Sequence, residues 1–169
     1  RVIKRSINQV SSLAINANTK NKELKKYSLP IFSDSIKGFL GPLAGIHASL
    51  NWTLNSCPEH KWVMTFAGDT PFFPKNIVKK LYDEAKKQNK KIILAKSFKR
   101  NHPIFGLWHI SLEEDLRISI KNKNIRKIDQ WAEYHLFGTV NFSNKQYDPF
   151  FNINTPKDLI KAKEIENQY

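Results

Sequence analysis

Cysteine is all but absent from this sequence. Cys57 is the only one, so no disulfide can close within the chain and no Cys-rich zinc site can be assembled. A reduced thiol is expected there. No apolar run approaches the ~20 residues that a membrane span needs, and no charged-then-apolar leader opens the sequence. A cytoplasmic protein that does not engage a membrane is therefore expected. Acidic residues are also few, 15 against 28 basic ones, which leaves a net charge of +13. Such an excess fits a nucleic-acid-binding domain. However, Lys79, Lys80, Lys86, Lys87, Lys90 and Lys91 are spread over helix surfaces and interrupted by Asp and Glu. No RNA-binding aromatic motif or zinc finger accompanies them. Nucleic acid is not an expected partner, whereas a positive field would attract anionic small molecules. Methionine is equally scarce: Met64 stands alone in mid-chain, and residue 1 is Arg. The sequence is expected to lack its native N-terminus.

What is present is enough for one domain. The 169 residues and 40% hydrophobic content can bury a substantial core. Ile3, Ile7 and Val10 recur at helical spacing over 2–10. Leu13 to Ile15 and Leu29 to Phe32 read as short buried strands, with a polar helix over 21–27 between them. Leu43, Ile46, Leu50 and Leu54 mark one face of a helix, and Trp62 to Ala67 a strand. An amphipathic helix over 74–88 and a strand over 92–95 follow. This alternation predicts a three-layer α/β domain with a mostly parallel sheet. Past residue 96 the pattern changes. Arg100 to Pro103 reads as a basic turn before a strand over 104–108. Helices follow over 111–120, with Ser111 as N-cap and Glu114 completing a capping box, and over 126–134. A strand over 136–142 comes next, and Thr155 caps a last helix that has Pro156 at its first position and Asp158 in its first turn. The region 97–142 reads as a small insertion in the α/β core.

Several polar residues stand where strands end. In open α/β sheets, ligands bind outside the carboxyl ends of parallel strands. Val63 to Pro74 holds an apolar run, then Gly68 and Asp69, then the start of a helix. A carboxylate at Asp69 suits a metal ion or a phosphate-bearing substrate, although an Asp that only closes a turn would look the same. Gly68 would allow a sharp turn and a close approach to ligand. Asn16 and Asn18 follow the first strand and Asp34 the second; amides there can read a base edge or simply form turns. The stretch from Gly38 to Gly45 includes Gly41-Pro42, a turn whose glycines would let a flat ligand lie against backbone. His102 is equally a ligand-binding residue or a turn residue before Pro103. His47, His60, His109 and His135 show no ligand spacing.

Six stretches occur in one order: Ile15-Asn16-Ala17-Asn18, Asp34-Ser35, Gly41-Pro42-Leu43-Ala44-Gly45, Gly68-Asp69-Thr70-Pro71, His102-Pro103 and Phe151-Asn152-Ile153-Asn154-Thr155-Pro156. Together they resemble the molybdenum cofactor guanylyltransferases, the MobA type of the nucleotidyltransferase superfamily, from the first helix to the last. The resemblance implies a Rossmann-like α/β/α nucleotidyltransferase fold and the transfer of GMP from GTP to molybdopterin, with pyrophosphate released. It implies Mg²⁺, held by Asp69 with the amide oxygen of Asn152 or Asn154. It implies nucleotide binding by Asn16, Asp34, Gly41, Gly45 and Asp69, with Asp34 accepting from guanine N1–H and the exocyclic amine. It places Arg100 and His102 in an acceptor-binding region over 97–142. Molybdoenzyme apoproteins and their chaperones are downstream partners compatible with it.

The family's opening signature, Leu-x-Gly-Gly-x-Ser-x-Arg-Met-Gly-x-x-Lys, is absent from these residues. That segment is a first strand and a Gly-rich loop that grips the triphosphate, and roughly 30 residues would restore such a unit. The 169 residues alone are therefore expected to be inactive and poorly stable. Three other readings stand beside the resemblance. One is a relative using CTP or a sugar phosphate, another a non-catalytic nucleotide-binding descendant, and the third a basic nucleic-acid-binding domain.

Overall fold

The computed structural model describes residues 1–19, 21–36, 38, 41–143 and 146–167. Its elements, in chain order, begin with α1 (Val2–Ser6), β1 (Ile15–Asn16), β2 (Ile31–Phe32) and α2 (Pro42–Ser56). Next come β3 (Trp62–Met64), α3 (Ile77–Gln88), β4 (Ile92–Ser97) and β5 (Arg100–His109). The chain then forms α4 (Glu113–Lys121), α5 (Ile128–Tyr134), β6 (Gly138–Asn141) and α6 (Pro156–Asn167). Short 3₁₀ turns occupy Ile7–Gln9, Lys22–Tyr27 and Ile110–Leu112.

The layering follows from the two-residue period of a strand. In β4, Ile92 and Leu94 face a cluster formed with Leu43 and Leu50 of α2, Leu116 of α4 and Trp131 of α5. Ile93 and Ala95 face the opposite side, against Ile77, Leu81 and Ala85 of α3. A strand buried on both faces is apolar throughout, which is why 92–95 has no polar residue. The strands are ordered β3-β5-β4-β6. β4 pairs parallel with β6, and β5 pairs antiparallel with both β3 and β4, so three strands run one way and β5 the other. A separate two-stranded parallel sheet joins Ile15 to Ile31 and Asn16 to Phe32. The α/β class expected from the sequence is thus the observed one; three of the four strands share a direction, but β5 between them makes two of the three pairings antiparallel, so the sheet is mixed.

Residues 97–142 share this sheet and core. They contribute the inner strand β5, the edge strand β6, and Trp108, Leu116 and Trp131 of the packed interior. Three local expectations differ from the structure. Arg100 to Pro103 is not a turn but the start of β5; the turn is Phe98-Lys99, both with positive φ (44° and 68°). Ser111 is not an N-cap but lies in a 3₁₀ turn, where its backbone N–H donates to Nδ1 of His109. Glu114 forms no capping box; it takes a bidentate contact from Arg117 at 2.6 and 2.7 Å. One turn of helix offered Glu114 a cation, and the charge-assisted pair outcompetes the backbone. Within the Gly38–Gly45 stretch, Phe39 and Leu40 lie outside the described residues. No helix among the described residues is long and apolar enough to cross a membrane.

Candidate nucleotide and metal site

The strand directions gather one edge of the molecule. Because β3, β4 and β6 are parallel and β5 opposes them, the carboxyl ends of the first three lie beside the start of β5. Past β3, the backbone N–H of Thr65 still bonds the carbonyl of Gly106, and the chain then turns at Gly68-Asp69. Gly68 has no positive φ, and a Cβ added there would meet nothing within 4 Å. It is not needed for the turn; it lines an open cleft.

Asp69 is exposed, and its neighbour Thr70 is fully buried. The Thr70 hydroxyl lies 3.0 Å from Oδ1 of Asp69 and 2.9 Å from Oδ1 of Asn152. The backbone N–H of Ile153 donates to the carbonyl of Asp69 at 2.9 Å. Two segments more than eighty residues apart are thereby stitched together, and Asp69 and Asn152 converge at one point. Asn154 is exposed, and its backbone N–H donates to the carboxylate of Asp158, which also accepts from Thr155. These donors hold the Asp158 carboxyl below its usual range. The loop that follows Asp69 is anchored from α1: the buried Arg5 donates through Nε to the carbonyl of Phe73 at 2.8 Å.

Asn16, Asn18 and Asp34 form a second constellation. Nδ2 of Asn16 donates to Oδ1 of Asp34 at 3.1 Å, and Nδ2 of Asn18 to Oδ2 at 2.8 Å. Oδ1 of Asn18 accepts the Asp34 backbone N–H at 2.8 Å. The asparagines do not close local turns; they lock the ends of β1 and β2 together. Each carboxylate oxygen has a second lone-pair direction left for a ligand donor. Gly45 faces this pair. A Cβ there would stand 3.1 Å from Oδ1 of Asn16 and 3.9 Å from Oδ1 of Asp34. Gly41 has φ 78° and precedes Pro42 at the first position of α2, so its conformation does require glycine.

A cleft of about 1080 Å³ is lined by Asn16 and Gly45 from one constellation and by Gly68 and Asp69 from the other; Asn18, Asp34, Gly41, Asn152 and Asn154 are not among its lining residues. Its walls are the edge of β1 and the edge of β3. Among the described residues, neither edge has a strand partner on the cleft side.

Arg100 and His102 do not line this cleft. Arg100 is exposed at the first position of β5. His102 stacks on Phe150 with ring centroids 4.4 Å apart, and its Nε2 lies 2.7 Å from the Ser97 hydroxyl. That hydroxyl donates to Oδ1 of Asp148 at 2.8 Å, so the imidazole supplies the proton to Ser97. Burial pushes the His102 pKa below its ordinary value, reinforced by Arg100 and opposed by Asp148.

Two participants, His47 and Glu113, escaped the sequence reading. Nδ1 of His47 lies 2.9 Å from the hydroxyl of Ser35, the residue after Asp34. Nε2 of His47 is 2.8 Å from Oε1 of Glu113, but off the N–H axis, so the contact is close without being a well-aligned hydrogen bond. Only 2% exposed, His47 ties the Asp34 loop to the start of α4. Burial lowers its pKa more than Glu113 raises it. The one available signal was a histidine on the apolar side of α2, beside Ile46 and Leu50.

Carboxylates and amides at the carboxyl ends of strands, flanking an open cleft, form a ligand site of the kind open α/β sheets carry, and comparison with known proteins places the chain among nucleotidyltransferase-type domains. Solved structures show the same architecture. A molybdopterin-guanine dinucleotide biosynthesis protein A from Archaeoglobus fulgidus superposes with a TM-score of 0.71 at 26% identity, covering 100% of this chain and 87% of that one. A 4-diphosphocytidyl-2C-methyl-D-erythritol synthase from Anaerococcus prevotii shares the fold at 10% identity, with a TM-score of 0.72 over 99% of this chain and 86% of that one. The family model of the MobA-like NTP transferase domain matches residues 1–136, and the chain belongs to that family. A molybdenum cofactor guanylyltransferase from Nitrobacter hamburgensis is 36% identical over 165 residues, 98% of this chain and 79% of the relative. One from Mesorhizobium japonicum is 38% identical over 160 residues, 93% and 76% respectively.

Proposed function

We propose that this chain is the nucleotidyl-transfer domain of a molybdenum cofactor guanylyltransferase, transferring GMP from GTP to molybdopterin in the cytoplasm, where GTP is available. A phosphate oxygen of the acceptor attacks the α-phosphorus of GTP; the bond to the bridging oxygen breaks, and pyrophosphate leaves with that electron pair. The observation that carries this reading is Asp69, joined to Asn152 through Thr70 and lining a cleft that Asn16 and Gly45 also line.

The oxygen-only donors at this point fit Mg²⁺, which prefers one or two protein oxygens with phosphates and water completing its shell. Asp69 would hold it, with Asn152 or Asn154 in support. When bound, Mg²⁺ neutralises charge on the phosphate oxygens of the transition state. The Thr70 hydroxyl orients the Asp69 carboxylate and the Ile153 N–H fixes the Asp69 backbone, so little reorganisation is needed during the reaction. Asn16 fixes the Asp34 carboxylate, and Asp34 offers its free lone pairs to guanine N1–H and the exocyclic amine. Adenine lacks that donor pair. Gly41 and Gly45 leave room for base and ribose. Arg100, exposed at the strand-end edge outside the cleft, and His102 would contact the pterin part of the acceptor in the region 97–142.

The unpartnered edges of β1 and β3 leave space for a parallel strand and the Gly-rich loop that the family resemblance implies. About a fifth of the Nitrobacter relative lies outside the match. The test is to fuse that relative's opening segment ahead of Arg1 and measure pyrophosphate release from GTP with molybdopterin. Turnover in the fusion, lost with Asp69→Asn by about a thousand-fold, is expected. Equal turnover by the Asp69→Asn fusion would overturn the reading.

A further inference from the structure

A second cluster of ligand-type side chains sits at the same cleft, far in chemistry from the oxygen donors of Asp69. Cys57 ends α2, its backbone N–H donating to the Thr53 carbonyl at 2.8 Å. Pro58 then turns the chain, and the His60 N–H returns to the Cys57 carbonyl at 3.0 Å. This turn folds the imidazole back over the thiol. One ligand atom each from Cys57, Glu59 and His60 lies within 4.8 Å of the other two. Nδ1 of His60 is 3.5 Å from Oε1 of Glu59, and Nε2 is 3.3 Å from the Ser12 hydroxyl.

We propose that Cys57, Glu59 and His60 form a binding site for a borderline divalent transition-metal ion, Zn²⁺ being the fitting example, with water in the fourth position. The donor set decides the metal class. Thiolate and imidazole favour Zn²⁺ over Mg²⁺, which takes oxygen ligands. Donor atoms on a tetrahedral zinc stand about 3.3–3.8 Å apart, given its bond lengths. The present spacing of up to 4.8 Å closes with about 1 Å of movement. The Glu59 side chain, 66% exposed, is free of the core and can supply that movement. Ser12 completes the design. With an ion on Nδ1, the Nε2–H can donate to the Ser12 hydroxyl 3.3 Å away, the outer-sphere hydrogen bond that zinc-binding histidines use. The carbonyl end of α2 adds a partial negative charge. Binding releases the Cys57 proton to solvent, so thiolate, carboxylate and Zn²⁺ sum to zero charge.

Ser12 lies in the segment leading to β1, and His60 in the one leading to β3. An ion on His60 would therefore pin the two lips of the cleft through the Ser12 contact. This inference does not depend on the nucleotidyl-transfer reading, and its test uses no turnover.

The probe is Co²⁺, titrated into the reduced 169-residue protein. The expected result is a thiolate-to-cobalt charge-transfer band with tetrahedral d–d absorption, saturating at one equivalent and erased by Zn²⁺ but not by excess Mg²⁺. Cys57→Ser should abolish the charge-transfer band. Glu59→Gln, at an exposed position that cannot unfold the protein, should weaken binding about ten-fold or more, and Ser12→Ala about ten-fold. Asp69→Asn should leave the titration unchanged. Absence of the thiolate band in the unsubstituted protein, or undiminished affinity in Glu59→Gln and Ser12→Ala, would overturn the proposal.

Discussion

The two sheets of this molecule hold their shape by different means. β4 is buried along nearly its whole length, and the helices on its two faces supply the packing. β1 and β2 are two residues each, with no buried residue, and β2 leaves Ile31 42% exposed. Their ends are fixed instead by three side-chain hydrogen bonds among Asn16, Asn18 and Asp34. One region is stabilised by apolar area removed from water, the other by hydrogen bonds among exposed polar groups. The second arrangement keeps polar side chains at the surface, and it gives up packing to do so.

The contrast is sharpest under truncation. Ile93→Ala, at a fully buried position, should cost about 2–5 kcal/mol of unfolding free energy, whereas Ile31→Ala should cost less than about 1 kcal/mol; chemical denaturation measures both. Equal losses would mean that the small sheet is packed more tightly than its exposure indicates. Asp34→Ala should reverse the pattern. Loss of the bonds from Asn16 and Asn18 should cost about 1 kcal/mol of stability, while GTP affinity in the fusion protein falls by about 1.5–3 kcal/mol, roughly ten- to a hundred-fold; calorimetry with GTP and ATP would show the preference collapsing. Gly45→Ala separates the two properties further. Alanine is the better helix former, so thermal stability should hold or rise, but the new methyl crowds Asn16 and should weaken GTP by ~1 kcal/mol, about five-fold.

The smallest effect is a slope. His47, His102 and His109 all have pKa values lowered mainly by burial, so the unfolded chain takes up their protons first as pH falls. Stability should therefore be flat above pH ~6.5 and decline below it, toward the lower folded-state values. Denaturation midpoints across that range check the sign, and His47→Gln should make the decline shallower.

How much of this was readable beforehand varied with the kind of interaction. The apolar run 92–95 and the spacing of Leu43, Ile46 and Leu50 announce buried elements directly, because period and burial are linked. Asp69, Asn16 and Asp34 were legible as polar residues just past strands. Their partners were not. Thr70 meets Asn152 across 82 positions, and His47 meets Glu113 across a helix-to-helix contact that no local pattern encodes. The start of β5 was missed because Arg100, Asn101 and Pro103 resemble turn residues; pairing of Arg100, Asn101 and His102 with Ser97, Lys96 and Ala95 overrides that preference. Cys57 and His60 gave no ligand spacing in sequence, yet a single turn brings them together.

The reversed strand also has a consequence for time. β4 and β5 form a tight hairpin about Phe98-Lys99, whose contacts are local and can form early. β3 has no place in the four-stranded sheet until β5 is present, since Met64 pairs with Leu107 and Trp62 with His109. During synthesis, the strand leading to Asp69 must wait for more than forty further residues to emerge before it can dock. Asp69 is thus set in place only after the hairpin that follows it in the chain, out of sequence order.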